Sequence, residues 1–152
     1  IEGTATATGD LNIDLADLST MKGRIVVPVA SMRTGNGKRD NHLRGADWLD
    51  EAQFPQISFD ITGVKVMGSP EVNAKGIGQA SVIVTGNFTL HGVSKKIVAP
   101  SKLKWLKGKG LKIATSFKVS LADYQIAGRG SIVGEKVGKV IDIEVRLKGK
   151  LQ

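Results

Sequence analysis

A strict alternation of apolar and polar residues runs through three long segments of the chain. In Leu111–Leu121 the odd-numbered positions are Leu, Ile, Thr, Phe, Val and Leu, whereas the even-numbered positions carry only Lys, Ala or Ser. Ala80–Leu90 and Val140–Lys148 show a similar alternation. Successive side chains of a β-strand point to opposite faces of the sheet, so this period of two predicts strands with one buried face and one solvated face.

Four further strands are indicated by apolar segments that are shorter or less regular. They are Thr4–Asp14, Gly23–Ala30, Gln56–Val66 and Lys95–Leu106. The second of them contains Pro28, which weakens a central position in a sheet. Turns rich in glycine, Gly108–Gly110 and Gly128–Gly134, separate neighbouring strands. The sequence therefore predicts an all-β fold, an antiparallel β-barrel of about seven to eight strands, in a single domain over residues 1–152.

The connection over residues 31–56 is long for a compact β-domain. Loops beyond about 12–15 residues usually carry function or local structure of their own. We expect a helical turn within Asp40–Ala52, with the pairs His42–Leu43 and Trp48–Leu49 facing the mouth of the barrel. This connection is therefore the part of the chain whose sequence is most informative about a specific functional or structural role.

Arg39, Asp40 and His42 form a polar cluster in this connection. An acid–base function would need a nucleophile and a polar pocket, and the sequence has no G-x-S-x-G or H-x-x-x-H motif. A metal site with His91 would lack an obvious third ligand. The sequence therefore predicts no enzyme, no catalytic residue and no metal ligand. It favours a bracing role, in which Asp40 accepts hydrogen bonds from backbone N–H groups and Arg39 pairs with a carboxylate such as Asp47 or Asp50.

The charge of the chain is unevenly distributed. Nine lysines and no acidic residue lie between Glu71 and Asp123, within a chain of formal net charge +8. This excess predicts an anionic membrane surface or an acidic protein as a partner. The lysines that carry this prediction are Lys95, Lys96, Lys102, Lys104, Lys107 and Lys109. Nucleic acid is not expected as a partner, because the interval has no arginine and Trp105 is its only large stacking ring near the lysines.

Three blocks of the sequence resemble the signature of the YceI-like family. The first block holds an S-x-x-T-G element at Ser31–Gly35, an R-D-x-H-L element at Arg39–Leu43, an acidic-aromatic pair at Asp47–Trp48 and an F-P-x-I-x-F strand at Phe54–Phe59. The second block, Gly86–Lys95, resembles the family's G-x-L-T-L-x-G-V-(T/S)-K hairpin, and the third, Phe117–Ile126, resembles its last strand but one. The blocks follow the family's order over about Ile1 to Leu147.

The resemblance implies a lipocalin-like barrel that carries a long-chain isoprenoid-like lipid, of polyprenyl or quinone type, without catalysis and without a required cofactor. It also implies export behind a signal peptide, which makes the protein periplasmic or secreted. The expected ligand-binding residues are Val82, Phe88, Ile113, Phe117, Ile143, Val145, Phe59, Trp48, Arg39 and His42. Of these, Arg39 and His42 are the candidates for contact with a ligand head group.

Two interpretations of the barrel interior remain open from the residues alone. Small inward residues, such as Ala5, Ala7, Ala80 and Gly86, would leave volume for an apolar ligand. The same apolar residues would equally well pack a solid core.

Two departures from the family pattern carry further expectations. The family's initial strand is not found before the segment that resembles Ile1–Asp14, which predicts either an open barrel edge or a further strand that precedes Ile1. With the lysines, an open edge indicates an alternative function, as a structural or accessory subunit of a larger membrane-associated complex. The oligomeric state is left open. The second departure is Gln125, which stands where a glycine is common.

Overall fold

The computed structural model describes residues 3–127 and 140–150, which form one antiparallel sheet of seven strands. The strands are β1 (Thr8–Asp14), β2 (Asp17–Pro28), β3 (Gln56–Val72), β4 (Ile77–Leu90), β5 (Val93–Leu106), β6 (Gly110–Ser120) and β7 (Val140–Lys150). Each strand pairs with its neighbour in sequence, as a meander does. The predicted turn at Gly108–Gly110 joins β5 to β6, whereas the predicted turn at Gly128–Gly134 lies outside the described residues.

The sheet curls into a half-barrel, which confirms the predicted all-β antiparallel fold. The described ladders leave β1 and β7 as the two ends of the sheet. These ends approach each other, because a Cβ built on Gly9 of β1 would lie 3.4 Å from Cδ1 of Leu147 on β7. The inner faces of the first and last strands therefore share one interior.

Strand β2 begins at Asp17, whereas the sequence predicts a start at Gly23. The glycine lies within the strand, for a reason that its backbone shows. Gly23 has φ +149°, and a Cβ at this position would lie 2.2 Å from the carbonyl oxygen of Asp10 on β1. Only glycine allows that close approach, so Gly23 is needed inside the strand, where β1 lies against it, and does not mark the start of the strand. Pro28 is the last residue of β2, where it does not interrupt the ladder.

The connection between β2 and β3 contains the only α-helix among the described residues, α1 (Gly37–Arg44). The helix begins a little before the predicted turn because the side chain of Asn36 caps it, accepting a hydrogen bond from the backbone N–H of Arg39 (3.1 Å). Two short 3₁₀ turns, Val29–Ser31 and Leu121–Tyr124, follow β2 and β6 and lie at the same end of the sheet. In the described ranges, no helix has the length and apolar character needed to cross a bilayer.

Candidate ligand-binding site

The inner face of the half-barrel carries the apolar residues expected to line a ligand site. Val82, Phe88, Ile113 and Phe59 are buried in one core cluster, whereas Phe117 is only partly buried against it. The ring of Phe117 lies 6.0 Å from that of Phe59 and 5.1 Å from that of Phe88, measured between centroids. Four of the predicted residues therefore belong to a packed core, and Phe117 lies at its border.

A second group of inward-facing residues is incompletely covered. Ile143 is partly buried and packs against the core from β7. Val145, the next inward residue of β7, is also half-buried. On β1, Leu11 and Ile13 are exposed to a similar degree. We call Leu11, Ile13, Phe117, Ile143 and Val145 the half-covered strip, since they offer apolar surface inside the curl that no described residue fully buries.

The expectation that small inward residues leave free volume is not supported at Gly86 or at Ala5. A Cβ built on Gly86 would lie 2.7 Å from Cζ of Phe59 and 2.4 Å from the carbonyl oxygen of Asp60. The Phe59 ring therefore occupies the space that Gly86 vacates. Ala5 is exposed and does not belong to the core. The packed interpretation of the interior is correct in this region, and the accessible apolar surface lies along the half-covered strip instead.

The side chain of Asp40 connects the first turn of α1 to Thr34, in the segment that precedes the helix. Its carboxylate accepts hydrogen bonds from the backbone N–H of Thr34 (2.8 Å) and from the Thr34 hydroxyl (2.5 Å). The side-chain hydrogen bond from Thr34, followed by its backbone hydrogen bond and the nearby charges of Arg44 and Arg33, lowers the pKa of Asp40 against the opposing effect of burial. The carboxylate is thus held ionised as an acceptor, which confirms the bracing role expected for Asp40.

Arg39 completes this brace through the same threonine. Its Nε donates to the Thr34 hydroxyl (2.9 Å) and its Nη2 donates to the Thr34 carbonyl oxygen (2.6 Å). The expected ion pair with Asp47 or Asp50 is therefore wrong, because the guanidinium donates to the hydroxyl and the backbone carbonyl of Thr34. His42 follows on the exposed surface of α1. Contact of Arg39 or His42 with a ligand head group stays a prediction.

The remainder of the connection covers one end of the curled sheet. Trp48 and Leu49 are buried in the core cluster, and Leu43 packs against it from the last turn of α1. The ring of Phe54 lies 4.8 Å from that of His91, in the turn between β4 and β5. Leu43, Trp48 and Leu49 therefore face this end of the barrel, as expected, whereas the prediction for His42 is wrong because its side chain is exposed on α1.

Sequence reasoning missed Tyr124 as a central member of this end of the barrel. Tyr124 is 2% exposed, and its ring packs edge-on against Phe88 at 5.6 Å. Burial, and secondarily the Asp123 carboxylate, raises the pKa of its phenol. Its carbonyl oxygen lies 3.1 Å from Nδ1 of His91. The signal available in the sequence was its place in the Phe117–Ile126 block, directly before Gln125, whose φ of +60° explains the family's glycine there.

The six lysines singled out in the sequence do not share one surface. Lys95 pairs with the inward Phe88 in the β4–β5 ladder, so its side chain leaves the sheet on the inner side. The even-numbered positions of β5 point to the outer face, and they include Lys96, Lys102 and Lys104. The turn after β5 contains Lys107 and Lys109. All six are exposed. The prediction of a partner at these lysines is revised below on the basis of the strand register.

Comparison with known proteins identifies a family with the same kind of sequence. The model of the family described as YceI-like domain matches residues 1–149. Protein YceI of Salmonella arizonae is 30% identical over 142 residues, which cover 90% of this chain and 68% of that protein.

Solved structures agree with this match at the level of the fold. The YCEI protein of Campylobacter jejuni superposes with a TM-score of 0.76 at 22% identity, over 99% of this chain and 85% of that one. A domain from Saccharophagus degradans, described as polyisoprenoid binding, superposes with a TM-score of 0.66 at 14% identity, over 96% and 91% of the two chains. With its lipocalin-like half-barrel and a family match over almost its whole length, the chain belongs to the YceI-like family.

Proposed function

We propose that this protein binds a long-chain isoprenoid-like lipid along the inner face of its half-barrel and carries it without chemical change. The observation that carries the proposal is the half-covered strip. Its apolar side chains face the interior of a curled sheet, yet no described residue buries them completely. A flexible apolar chain lying along the strip would complete their burial.

The expected gain in free energy is sufficient without a special polar contact. Burial of apolar carbon contributes about 0.8 kcal/mol per CH₂ group. A lipid that buries about ten carbons would gain roughly 8 kcal/mol, which corresponds to a micromolar dissociation constant before the costs of ordering the chain. A longer polyprenyl or quinone tail compensates for those costs with additional carbons.

Two further observations support the binding role. The domain from Saccharophagus degradans that shares the fold is itself described as polyisoprenoid binding. In this chain, the conspicuous polar cluster is engaged in structural hydrogen bonds, with Asp40 and Arg39 both bound to Thr34. Side chains that are engaged in structural hydrogen bonds support the loop and are poorly placed to transfer protons in an acid–base reaction. We also propose a periplasmic or secreted location, which cell fractionation with a periplasmic marker tests.

The test is extraction of the purified protein with organic solvent, followed by mass spectrometry of the extract. We expect a long-chain isoprenoid lipid from the wild type and a reduced amount from Ile143→Gln, which places an amide in the half-covered strip. Val98→Gln is the matched control, because Val98 is 57% exposed on the outer face of β5. A folded wild-type sample that yields no lipid, or equal losses from both variants, would contradict the proposal.

A second role is favoured by the free ends of the sheet. Among the described residues, β1 has no ladder partner on the side where β7 approaches it at Gly9, and most of its side chains are exposed. Such an edge can pair with a strand of another protein, so the protein would also suit an accessory subunit of a membrane-associated complex. Affinity purification at low salt from native membranes tests this role, which is excluded if the protein elutes alone as a monomer.

A further inference from the structure

The strand register assembles five cations on the outer face of β5, β6 and β7. Lys104 pairs directly with Lys112, and Lys112 pairs directly with Lys148. Two residues along each strand, Lys102 and Arg146 flank Ala114 in the adjacent row. We call these five residues, Lys102, Lys104, Lys112, Arg146 and Lys148, the basic patch. Three of them were not among the lysines singled out in the sequence, because only the register brings them together.

The basic patch is compact enough for its charges to act together. Neighbouring strands lie about 4.8 Å apart and alternate residues about 7 Å apart, so the five cations fit within an area of about 10 Å by 7 Å. This size is comparable to the Debye length of about 10 Å at 0.1 M salt, so their potentials add. The patch therefore presents one concentrated positive surface.

Few carboxylates compensate this charge. In the described ranges, the ion pairs nearest to the patch are Arg146 with Glu144 at 3.8 Å and Lys118 with Asp142 at 3.4 Å. The side chains of both pairs are more than 70% exposed, so they contribute little. Within those ranges, no carboxylate forms an ion pair with Lys104, Lys112 or Lys148. Like charges directly opposite each other destabilise a sheet, and an external anion would remove that repulsion.

A cleft beside the basic patch adds apolar and polar groups to this surface. It has a volume of about 540 Å³ and lies where the β5–β6 ladder ends, at Ser101 and Thr115. Lys102 and Arg146 flank apolar lining from Met67 and Pro100. Thr115 also lines the cleft, and its buried hydroxyl has no hydrogen-bond partner among the described residues. Cations beside apolar lining match a surface that offers both anionic head groups and hydrocarbon.

The composition of this surface disfavours nucleic acid. Single-stranded binding uses exposed aromatic rings between the cations, and Trp105, the nearest large aromatic residue in the sequence, is 6% exposed on the inner face. Bidentate recognition of phosphate uses arginine, and the patch contains only Arg146. Clustered lysines next to exposed apolar side chains are instead typical of attraction to anionic lipid.

From these observations we propose that the basic patch docks the protein on an anionic membrane surface, with lipid head groups above Lys104, Lys112 and Lys148 and the apolar side of the cleft against the bilayer. The five cations of the basic patch project from the opposite side of the sheet from the half-covered strip, whereas the cleft is also lined by Glu144 and by Val145 of the strip. Docking through the cations therefore does not require the lipid that we propose for the interior.

The test measures cosedimentation of the intact protein with vesicles of phosphatidylcholine, with and without phosphatidylglycerol. We expect binding only to the anionic vesicles and a steep loss of binding as salt increases. The triple variant Lys104→Gln, Lys112→Gln, Lys148→Gln should bind roughly 100-fold more weakly, since each lysine near an anionic surface changes partitioning by about fivefold. Circular dichroism confirms that the variants are folded.

The matched control removes the same charge elsewhere. The triple variant Lys22→Gln, Lys38→Gln, Lys95→Gln changes exposed lysines on β2, on α1 and on the inner side of β5. It should retain most of the vesicle affinity. Equal losses in the two triple variants would reduce the effect to net charge and overturn the proposal. Absence of binding to anionic vesicles, or tighter binding to DNA than to these vesicles, would overturn it as well, whatever lipid the interior yields on extraction.

Discussion

Two isoleucines on neighbouring strands test whether the interior is divided into a packed core and a ligand-accessible strip. Ile113 on β6 is 3% exposed in the core cluster, whereas Ile143 on β7 is half-buried in the half-covered strip. Replacement of each by alanine removes the same three carbons. The two variants therefore differ in the surroundings of the side chain and not in the chemistry of the substitution.

The expected costs follow from these surroundings. Three buried carbons correspond to about 2.4 kcal/mol of transfer free energy, and a residual cavity brings a core Ile→Ala substitution to about 2–5 kcal/mol. For Ile143→Ala we expect about 1 kcal/mol in the lipid-free protein, because the side chain is only partly buried. When a lipid covers the part that is exposed, the same deletion should weaken lipid binding by about 1 kcal/mol, or about fivefold.

Urea denaturation of the lipid-free variants measures the first quantity, and competition with a fluorescent polyprenyl probe measures the second. Ile113→Ala should lower the free energy of unfolding by at least twice as much as Ile143→Ala. Ile143→Ala should have the larger effect on probe binding once the fraction of folded protein is equal. The reasoning is refuted if Ile143→Ala costs as much stability as Ile113→Ala, or if both leave probe binding unchanged.

Three further predictions concern individual backbone and side-chain contacts, each measured by urea denaturation. The hydrogen bonds from Thr34 lower the folded-state pKa of Asp40, so the ionised carboxylate stabilises the fold above about pH 4 and this contribution is lost as the pH falls through the lowered pKa. The difference in free energy of unfolding between wild type and Asp40→Asn should therefore shrink over that pH range. A difference that stays constant with pH would contradict this prediction. Gly86→Ala should cost about 1–3 kcal/mol, because its Cβ would overlap the ring of Phe59 and a backbone oxygen, and a neutral effect would show that the space is free. Gln125→Gly should stabilise the protein by up to about 1 kcal/mol, since φ is +60° at this position, and a loss of stability would show that the Gln125 side chain makes a contact that outweighs its strained backbone.

The sequence was most informative where one face of a strand is buried and the other is solvated. The alternation in Leu111–Leu121 predicted β6, which spans Gly110–Ser120, within one residue at each end. The period of two is a local property, and burial of one face imposes it on every residue of the strand. The bracing role of Asp40 was predictable for a similar reason, because a short carboxylate beside a helix start commonly accepts backbone hydrogen bonds.

The contents of the interior could not be predicted, because they depend on contacts across strands. Gly86 looked like vacated volume, yet the ring that fills it belongs to Phe59, which the β3–β4 register places beside it. Thr34 was not expected as the partner of both Arg39 and Asp40, since nothing in the sequence favours a neutral hydroxyl over the carboxylate of Asp47. When two possible partners of a side chain differ little in energy, the local sequence pattern does not predict which partner the side chain contacts.

The alternation that defines the strands also separates the two proposed surfaces. On β6, Lys112 belongs to the basic patch and its neighbour Ile113 belongs to the core, so adjacent residues serve opposite faces of one sheet. On β7, Leu147 packs inward against the core while Lys148 points outward beside Lys112. A lysine substitution on the outer face therefore replaces no side chain of the inner surface, and Val145, which belongs to the half-covered strip and lines the cleft, is a residue where the two surfaces meet. Vesicle binding and lipid retention should consequently respond to separate sets of variants, and a variant of the basic patch that also emptied the interior would show that the lipid itself links the two faces.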